Sequence, residues 1–332
     1  MTRYSHGLKA ATRCVATVLA VTASVLAIGC PLAFAQSFPS RPVKIIVQTA
    51  AGSSIDVTAR VVAENLSRLW GQQAYVINQP GAGGALAAKA LASAPPDGGT
   101  LLFAASSIFV ALPELQKDQA SSIDAFVPVA FVGEQPMAVV VGAHEDIKTF
   151  PELLKRIGQT SGGMNCAVST RGGLSHLSAE ALKAATSTDV TFVHYPGTAQ
   201  ALSDVISGRV PMAVDSLSAF VGPAAGGQIR ILAVASAARL KKMPDLPTIA
   251  ETVPGFEATA WVALVAPPAT PAAIATQISA DVDRILGDPE VIKRLDEIGT
   301  FVHRMSAPEL AAFIKVQRAK WLPVVQKFGV VQ

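Results

Sequence analysis

The chain has 332 residues, half of them hydrophobic and 15% charged, enough for one large domain or two ordinary ones with real cores. Three of its 27 Lys/Arg fall within the first 35 positions, which hold no acid, so the remainder balances at 24 basic and 24 acidic residues. No Lys/Arg run is left to track a phosphate backbone, which argues against a nucleic-acid partner.

Residues 1–35 read as a secretory signal peptide. Arg3, Lys9 and Arg13 form a positive start, and Cys14 to Ile28 is an uncharged apolar run. That run is shorter than the ~20 residues a bilayer span takes. Gly29 and Pro31 then break the helix, and Ala33-Phe34-Ala35 gives the small-x-small pattern of a cleavage site. Ala27-Ile28-Gly29-Cys30 also loosely resembles a lipoprotein box, which leaves lipid anchoring at Cys30 as the alternative. No second long apolar stretch follows, so the mature protein is expected to be soluble and periplasmic. It keeps one cysteine, Cys166, in an apolar strand-like setting that suits a buried inert thiol.

Past the signal, short apolar runs alternate with helical patterns. Val43 to Val47 predicts a strand, Asp56 to Leu69 a helix, Tyr75 to Asn78 a strand, Ala85 to Ser93 a helix and Leu101 to Ala104 a strand. Val127 to Val132 and Met137 to Val141 predict two more strands, and Pro151 to Gln159 a helix with proline in its first turn. Met164 to Val168, Val190 to His194, Val210 to Asp215, Ile231 to Ala235 and Trp261 to Ala266 complete the strands. Helices are expected at Leu174 to Thr186, Ala199 to Ser207, Ala272 to Leu286, Glu290 to Ile298 and Leu310 to Phe328. The last follows a capping box at Ser306-Ala307-Pro308-Glu309. Such alternation predicts α/β architecture with parallel sheets. No flexible linker separates the halves, so crossing strands are expected to join them, near Val139-Val140 and Trp261 to Leu264.

Four strand-to-helix junctions carry the candidate chemistry. Gln48-Thr49-Ala50-Ala51-Gly52-Ser53-Ser54-Ile55-Asp56 offers small residues and a helix N-terminus, whose free N–H groups suit an anion. Ser169-Thr170-Arg171-Gly172-Gly173-Leu174-Ser175-His176 offers the same in the second half. Ligands of open α/β sheets lodge at the carboxyl ends of strands, so these two loops are expected to face each other. Tyr195, in His194-Tyr195-Pro196-Gly197-Thr198, has a ring and a hydroxyl to offer, and Asp215 ends a strand beside Ser216. Gly81-Ala82-Gly83-Gly84 matches neither a Walker loop nor Gly-x-Gly-x-x-Gly, so it reads as a structural turn. No Gly-x-Ser-x-Gly elbow is present, and His144, His176, His194 and His303 lack metal-ligand spacing. Ser175 beside His176 leaves a Ser/His hydrolase as an alternative.

Together these blocks resemble the extracytoplasmic solute receptors of tripartite tricarboxylate transporters, the Bug or TctC family. The resemblance runs through Arg41-Pro42-Val43-Lys44, Gly52-Ser53-Ser54-Ile55-Asp56, Asn78-Gln79-Pro80-Gly81-Ala82-Gly83-Gly84 and Pro96-Asp97-Gly98-Gly99-Thr100-Leu101-Leu102. It continues in Tyr195-Pro196-Gly197, Met243-Pro244-Asp245-Leu246-Pro247-Thr248 and Pro254-Gly255-Phe256-Glu257. It implies a type II Venus-flytrap fold of the periplasmic-binding-protein class. With the strand pattern it places domain 1 at 36–140 plus 264–332 and domain 2 at 141–263. It further implies a small carboxylate ligand, no cofactor or metal, and membrane transporter subunits as partners of a monomer. A membrane sensor kinase is the alternative partner. The ligand-contact set expected here is Thr49, Gly52, Ser53, Ser54, Asp56, Ser106, Ser169, Thr170, Arg171, Gly172, Ser175, His176, Tyr195, Gly197 and Asp215.

The sequence departs from the family's usual residues inside that set. Gln48 and Thr49 stand for Pro-Phe, Ala51 for Pro, and Ser53 for the second Gly of the first loop. Arg171, Gly173 and Leu174 stand where an Asn and two Ser are usual, His194 replaces a Pro, and Pro196 a Lys. The mature protein is expected to begin at Gln36, which N-terminal sequencing of the exported chain reads directly. A start at lipid-modified Cys30 would contradict this.

Overall fold

The computed structural model describes residues 38–169 and 171–328. The expected signal peptide, with Cys30, and the candidate contact Thr170 lie outside the described residues. No helix among the described residues is long and apolar enough to cross a membrane.

Among the described residues nine strands pair in the order β2-β1-β3-β9-β4-β7-β5-β6, with β8 on β4. They are β1 Val43–Val47, β2 Ala74–Asn78, β3 Thr100–Ala105, β4 Val127–Gly142, β5 Met164–Ser169, β6 Val190–Tyr195, β7 Met212–Ser216, β8 Ile229–Val234 and β9 Thr259–Ala266. β1 runs parallel to β2 and β3, and β5 parallel to β6 and β7. The sheets are not wholly parallel as expected, because β9 is antiparallel to β3 and β4, and β4 to β7 and β8. Alternation of strands and helices identifies crossovers. It does not reveal the direction of a strand that returns from one sheet to the other.

In the first sheet both faces are covered, which explains its unbroken apolar strands. Val43, Ile45 and Val47 enter a core shared with the helices Ser54–Trp70 and Ala272–Leu286. Ile46, Leu102 and Ala104 enter the other core, which extends under the C-terminal helix Ala307–Phe328. That helix begins at the expected capping box, where Ser306 N donates to Glu309 Oε2 at 2.8 Å. It packs against β4 and against helices Ser107–Val110 and Leu174–Thr186. Trp261 of β9 fills the junction, stacked on Phe109 at 5.5 Å and edge-on to Phe313 at 5.4 Å.

The blocks that gave the resemblance have structural work here. Arg41 pairs with Asp97 at 2.7 Å, and the same carboxylate accepts Gly99 N–H at 2.8 Å. A Cβ on Gly99 would collide with the Arg41 guanidinium. Gly84, at φ +103, leaves no room for a Cβ beside Ile108, so the Gly81–Gly84 turn is structural as read.

β4 was expected as two strands and is one of 16 residues. Val127–Pro136 pairs with β9, and Met137–Gly142 with β7 and β8. Pro136 hid the continuity, because proline usually breaks a sheet ladder. It is tolerated at the position where the strand exchanges partners. The exchange falls at Pro136/Met137, upstream of the expected Val139-Val140, and Trp261 to Leu264 lie wholly within the first sheet. A ring of backbone bonds ties the crossing: Met137 N to Ala258 O at 3.0 Å, Ala258 N to Ala235 O at 2.8 Å, and Ala235 N to Met137 O at 2.7 Å. Helix Leu217–Ala225, with Pro223 inside it, was not expected from sequence.

Just before the crossing, Gln135 is 1% exposed. Its amide donates to Thr300 Oγ1 at 2.8 Å and Thr58 Oγ1 at 3.2 Å, and the two hydroxyls lie 3.0 Å apart. Removing one member of a buried polar group leaves the others under-satisfied. Gln135→Leu is therefore expected to lower the unfolding free energy by about 2 kcal/mol in urea titrations. Unchanged stability would contradict this.

Candidate functional site

The first loop leaves the carboxyl end of β1. Its shape is set by Asp56, which is 2% exposed on the first turn of helix Ser54–Trp70. Asp56 Oδ2 accepts Gly52 N–H at 2.9 Å and Arg60 Nε–H at 3.0 Å, and Oδ1 accepts Asn78 Nδ2 at 2.8 Å. Burial alone would raise the carboxyl's pKa, but these bonds outweigh it and hold the group below its usual range. Asp56 was expected to touch the ligand; instead its oxygens are occupied by Gly52, Arg60 and Asn78. Ser53 caps the helix, accepting Asp56 N–H at 3.3 Å, and its hydroxyl meets Thr49 Oγ1 at 2.6 Å. Ala50, Ala51 and Gly52 are exposed, and Gly52 at φ +79 needs glycine's freedom. Thr49, Ser53 and Ser54 are half-buried beside them.

Gln48 was not among the expected contacts, yet it secures this loop from the other side. Buried to 6% exposure, it accepts Ala105 N–H at 3.0 Å and donates to Ser107 Oγ at 3.1 Å. Its replacement of the usual proline was the available signal. Ser106, between these two partners, is 2% exposed, and its hydroxyl has no hydrogen-bond partner among the described residues.

In the second half, β5, β6 and β7 bring their carboxyl ends side by side. Three helices start there: Leu174–Thr186 after Gly173, Thr198–Ile206 after Gly197, and Leu217–Ala225 after Ser216. None of these starts has a side-chain cap, so their first N–H groups remain available to an anion. Gly172 lies close to the first half. A Cβ on Gly172 would lie 2.8 Å from Leu115 Cδ1.

Several expected contacts turn inward here. Ser175 Oγ donates to Val214 O at 2.6 Å and accepts Ser169 N–H at 3.0 Å, which pins the loop to β7. His176 Nδ1 accepts Gly172 N–H at 3.2 Å, and its Nε2 faces Glu180 at 3.6 Å. The two side chains share no hydrogen bond among those described, so the Ser/His dyad is not assembled. Tyr195 donates to Asp204 at 2.7 Å, which commits its hydroxyl to its own following helix. Asp215 accepts Thr198 Oγ1 at 3.1 Å and Ser216 N–H at 2.7 Å; burial raises its pKa against those bonds. Cys166 is fully buried, and desolvation pushes its thiol up to about 12, as expected of an inert core group.

Arg171 is exposed and has no acidic partner among the described residues. His194 also lies outside the expected set. Burial depresses its pKa and the Arg171 charge adds to this. Burial, His194 and Arg171, in that order, lower His176 to about 4.

Comparison with known proteins now decides the family. Residues 58–330 match the model of the tripartite tricarboxylate transporter family receptor. The chain belongs to that family. A UPF0065 protein of Bordetella bronchiseptica is 35% identical over 98% of this chain and 96% of its own. An R. palustris protein solved with adipate superposes with TM-score 0.83 at 31% identity, covering 89% of this chain and 99% of that one. MatC from Rhodopseudomonas palustris with bound malate gives 0.79 at 31%, over 87% and 100%. The fold is accordingly the two-domain solute-binding architecture of periplasmic receptors, with β4 as a crossing strand.

The neutral His176 sets a pH prediction. Between about 6.5 and about 4 the unfolded chain binds a proton that the native site refuses. This contribution is complete above about 6.5 and is lost as pH falls toward about 4, by at most about 3 kcal/mol. Urea unfolding across that window should show a steeper loss for wild type than for His176→Gln. Equal slopes would contradict it.

Proposed function

We propose that the chain is an exported receptor that captures a small carboxylate between its two domains and delivers it to the membrane subunits of a tripartite tricarboxylate-type transporter. The observation that carries this reading is the trio of uncapped helix starts at the carboxyl ends of β5, β6 and β7. Backbone N–H groups and helix dipoles bind a carboxylate without a fixed countercharge. The amides of exposed Ala50 and Ala51 would complete the grip from the first domain, while Gly52 N–H is held by Asp56. The adipate and malate of the two superposed structures support this ligand class.

The mechanical boundary follows the strand pairing. We place it at Pro136/Met137 and Ala258/Thr259, a few residues from the 140/141 and 263/264 boundaries read from sequence. Ligand would favour the closed arrangement only by contacts it makes better there than in the open one. Export through the 1–35 signal, and function as a monomer, complete the reading. The geometry of Ser175 and His176 favours binding over hydrolysis.

A thermal-shift series on the mature protein tests this. Adipate or malate at a hundredfold excess over its dissociation constant should stabilise the fold by about 2.7 kcal/mol. The neutral diamides of the same chain length should not. Equal shifts with acid and diamide, or none with any carboxylate in a broad panel, would contradict the assignment.

A further inference from the structure

β8 is the outer strand of the second sheet. One of its edges is bonded to β4. On the other, the pairing among the described residues is a single bridge of Val234 with Thr248, where Val234 N–H donates to Pro247 O at 3.0 Å. Ahead of that bridge the segment 242–246 stands off the strand and leaves a groove of about 420 Å³. Ile229, Arg230 and Ile231 all line it. Successive strand side chains point to opposite faces, so a groove that meets all of them runs along the strand's edge rather than over one face.

An open strand edge is a template for another strand. The wall of this groove selects what can use it. A second copy's β8 carries the same 242–246 segment, which keeps two folded sheet edges apart. A single extended segment fits alongside, with backbone bonds to β8 and side chains in the groove. Ile229, Ile231, Met243 and Leu246 offer it apolar contacts. The charges in the groove are unbalanced. Arg230 Nη1 donates to the carbonyls of Glu145 and Ile147, at 3.2 and 2.6 Å, and has no acidic partner among the described residues. Lys242 meets Asp296 only at 3.9 Å, and Asp245 is the one acid among the described lining residues. The complementary segment is therefore apolar and carries an acid.

The groove is also attached to the domain joint. Asp296, on helix Pro289–Glu297, lies across the strand crossing from Lys242 in sequence. Met243 and Leu246 pack on the same apolar cluster as Phe301. Phe301 in turn exchanges two backbone bonds with Glu134, at 2.8 and 2.9 Å, just before the crossing. A change in domain arrangement would alter the groove, which is what a transport partner needs in order to tell a loaded receptor from an empty one. We propose that this groove docks an extended apolar and acidic segment of the transporter's membrane subunits, which adds a strand to β8. The proposal rests on the reading of the chain as a transport receptor.

Hydrogen exchange read by mass spectrometry tests this on mature protein saturated with the tightest-bound acid of the thermal-shift series, with and without the membrane subunits in nanodiscs. The subunits should slow exchange in Ile229–Val234. Lys242→Glu, at an exposed site, should weaken their binding by about tenfold or more and leave carboxylate affinity unchanged. Ile231→Lys, which puts a charge on the strand edge, should do the same. No protection of Ile229–Val234, or unaltered binding in both variants, overturns the inference. Protection there that grows with receptor concentration alone makes the occupant a second copy and overturns it as well. In each of those cases carboxylate binding by wild type leaves the receptor reading intact. Wild type that binds no carboxylate in a broad panel overturns both.

Discussion

Strand β4 is hydrogen-bonded into two sheets at once. Its first part is pinned by β9 and its second by β7 and β8, so neither sheet can be completed without the other. Everything that positions the site depends on that sharing. The crossing at Pro136/Met137 joins two α/β units without a flexible linker, and the backbone ring of Met137, Ala235 and Ala258 closes the joint. The joint is also where a buried polar group sits, because Gln135 bridges Thr58 and Thr300. Thr58 lies one turn past the N-terminus of the helix that carries the first loop. The strand crossing and the helix that carries the first loop are thus linked through a single amide. A mechanical coupling between them has a short physical path.

The side chains near the candidate site divide by what they hold. Asp56, Ser53 and Gln48 fix the first loop, and Ser175 and His176 fix the second. Those groups are hydrogen-bonded and, Ser53 apart, buried, and they hold the two loops on rigid supports. On the proposed reading, attraction for an anion comes mainly from helix starts rather than from net charge, which is balanced after residue 35. Arg171 is the exception, a fixed cation at the rim. On the proposed reading it bears on which acid is taken, while the uncapped helix starts hold the acid itself.

Much of this was legible in the sequence because the local signals agree with the fold. Leu174 to Thr186 and Ala272 to Leu286 have the expected bounds, and the β1 boundaries coincide with its β-branched run. The two loops could be placed because each sits between a clear strand and a clear helix. Strand direction was not legible, since β9 and β4 return antiparallel only by tertiary pairing. The unity of β4 was masked by Pro136. Individual contacts were less legible than loops. Asp56, Tyr195 and Asp215 have the right chemistry for a ligand, but each finds a nearer partner within the protein, and partner choice at 3 Å is a property of packing. His194 was visible only as an unusual residue at its position, and its unpaired nitrogen emerges only once His176 is packed against it.

The central claim is that these loops hold a carboxylate. The most direct measurement is mass spectrometry of the small molecule released when mature protein, isolated under native conditions from the periplasm of its own cells, is denatured. A carboxylate receptor predicts a small carboxylic acid at up to one molecule per chain, exchangeable for other acids of similar size. A neutral sugar or a cationic solute released at that stoichiometry would contradict it.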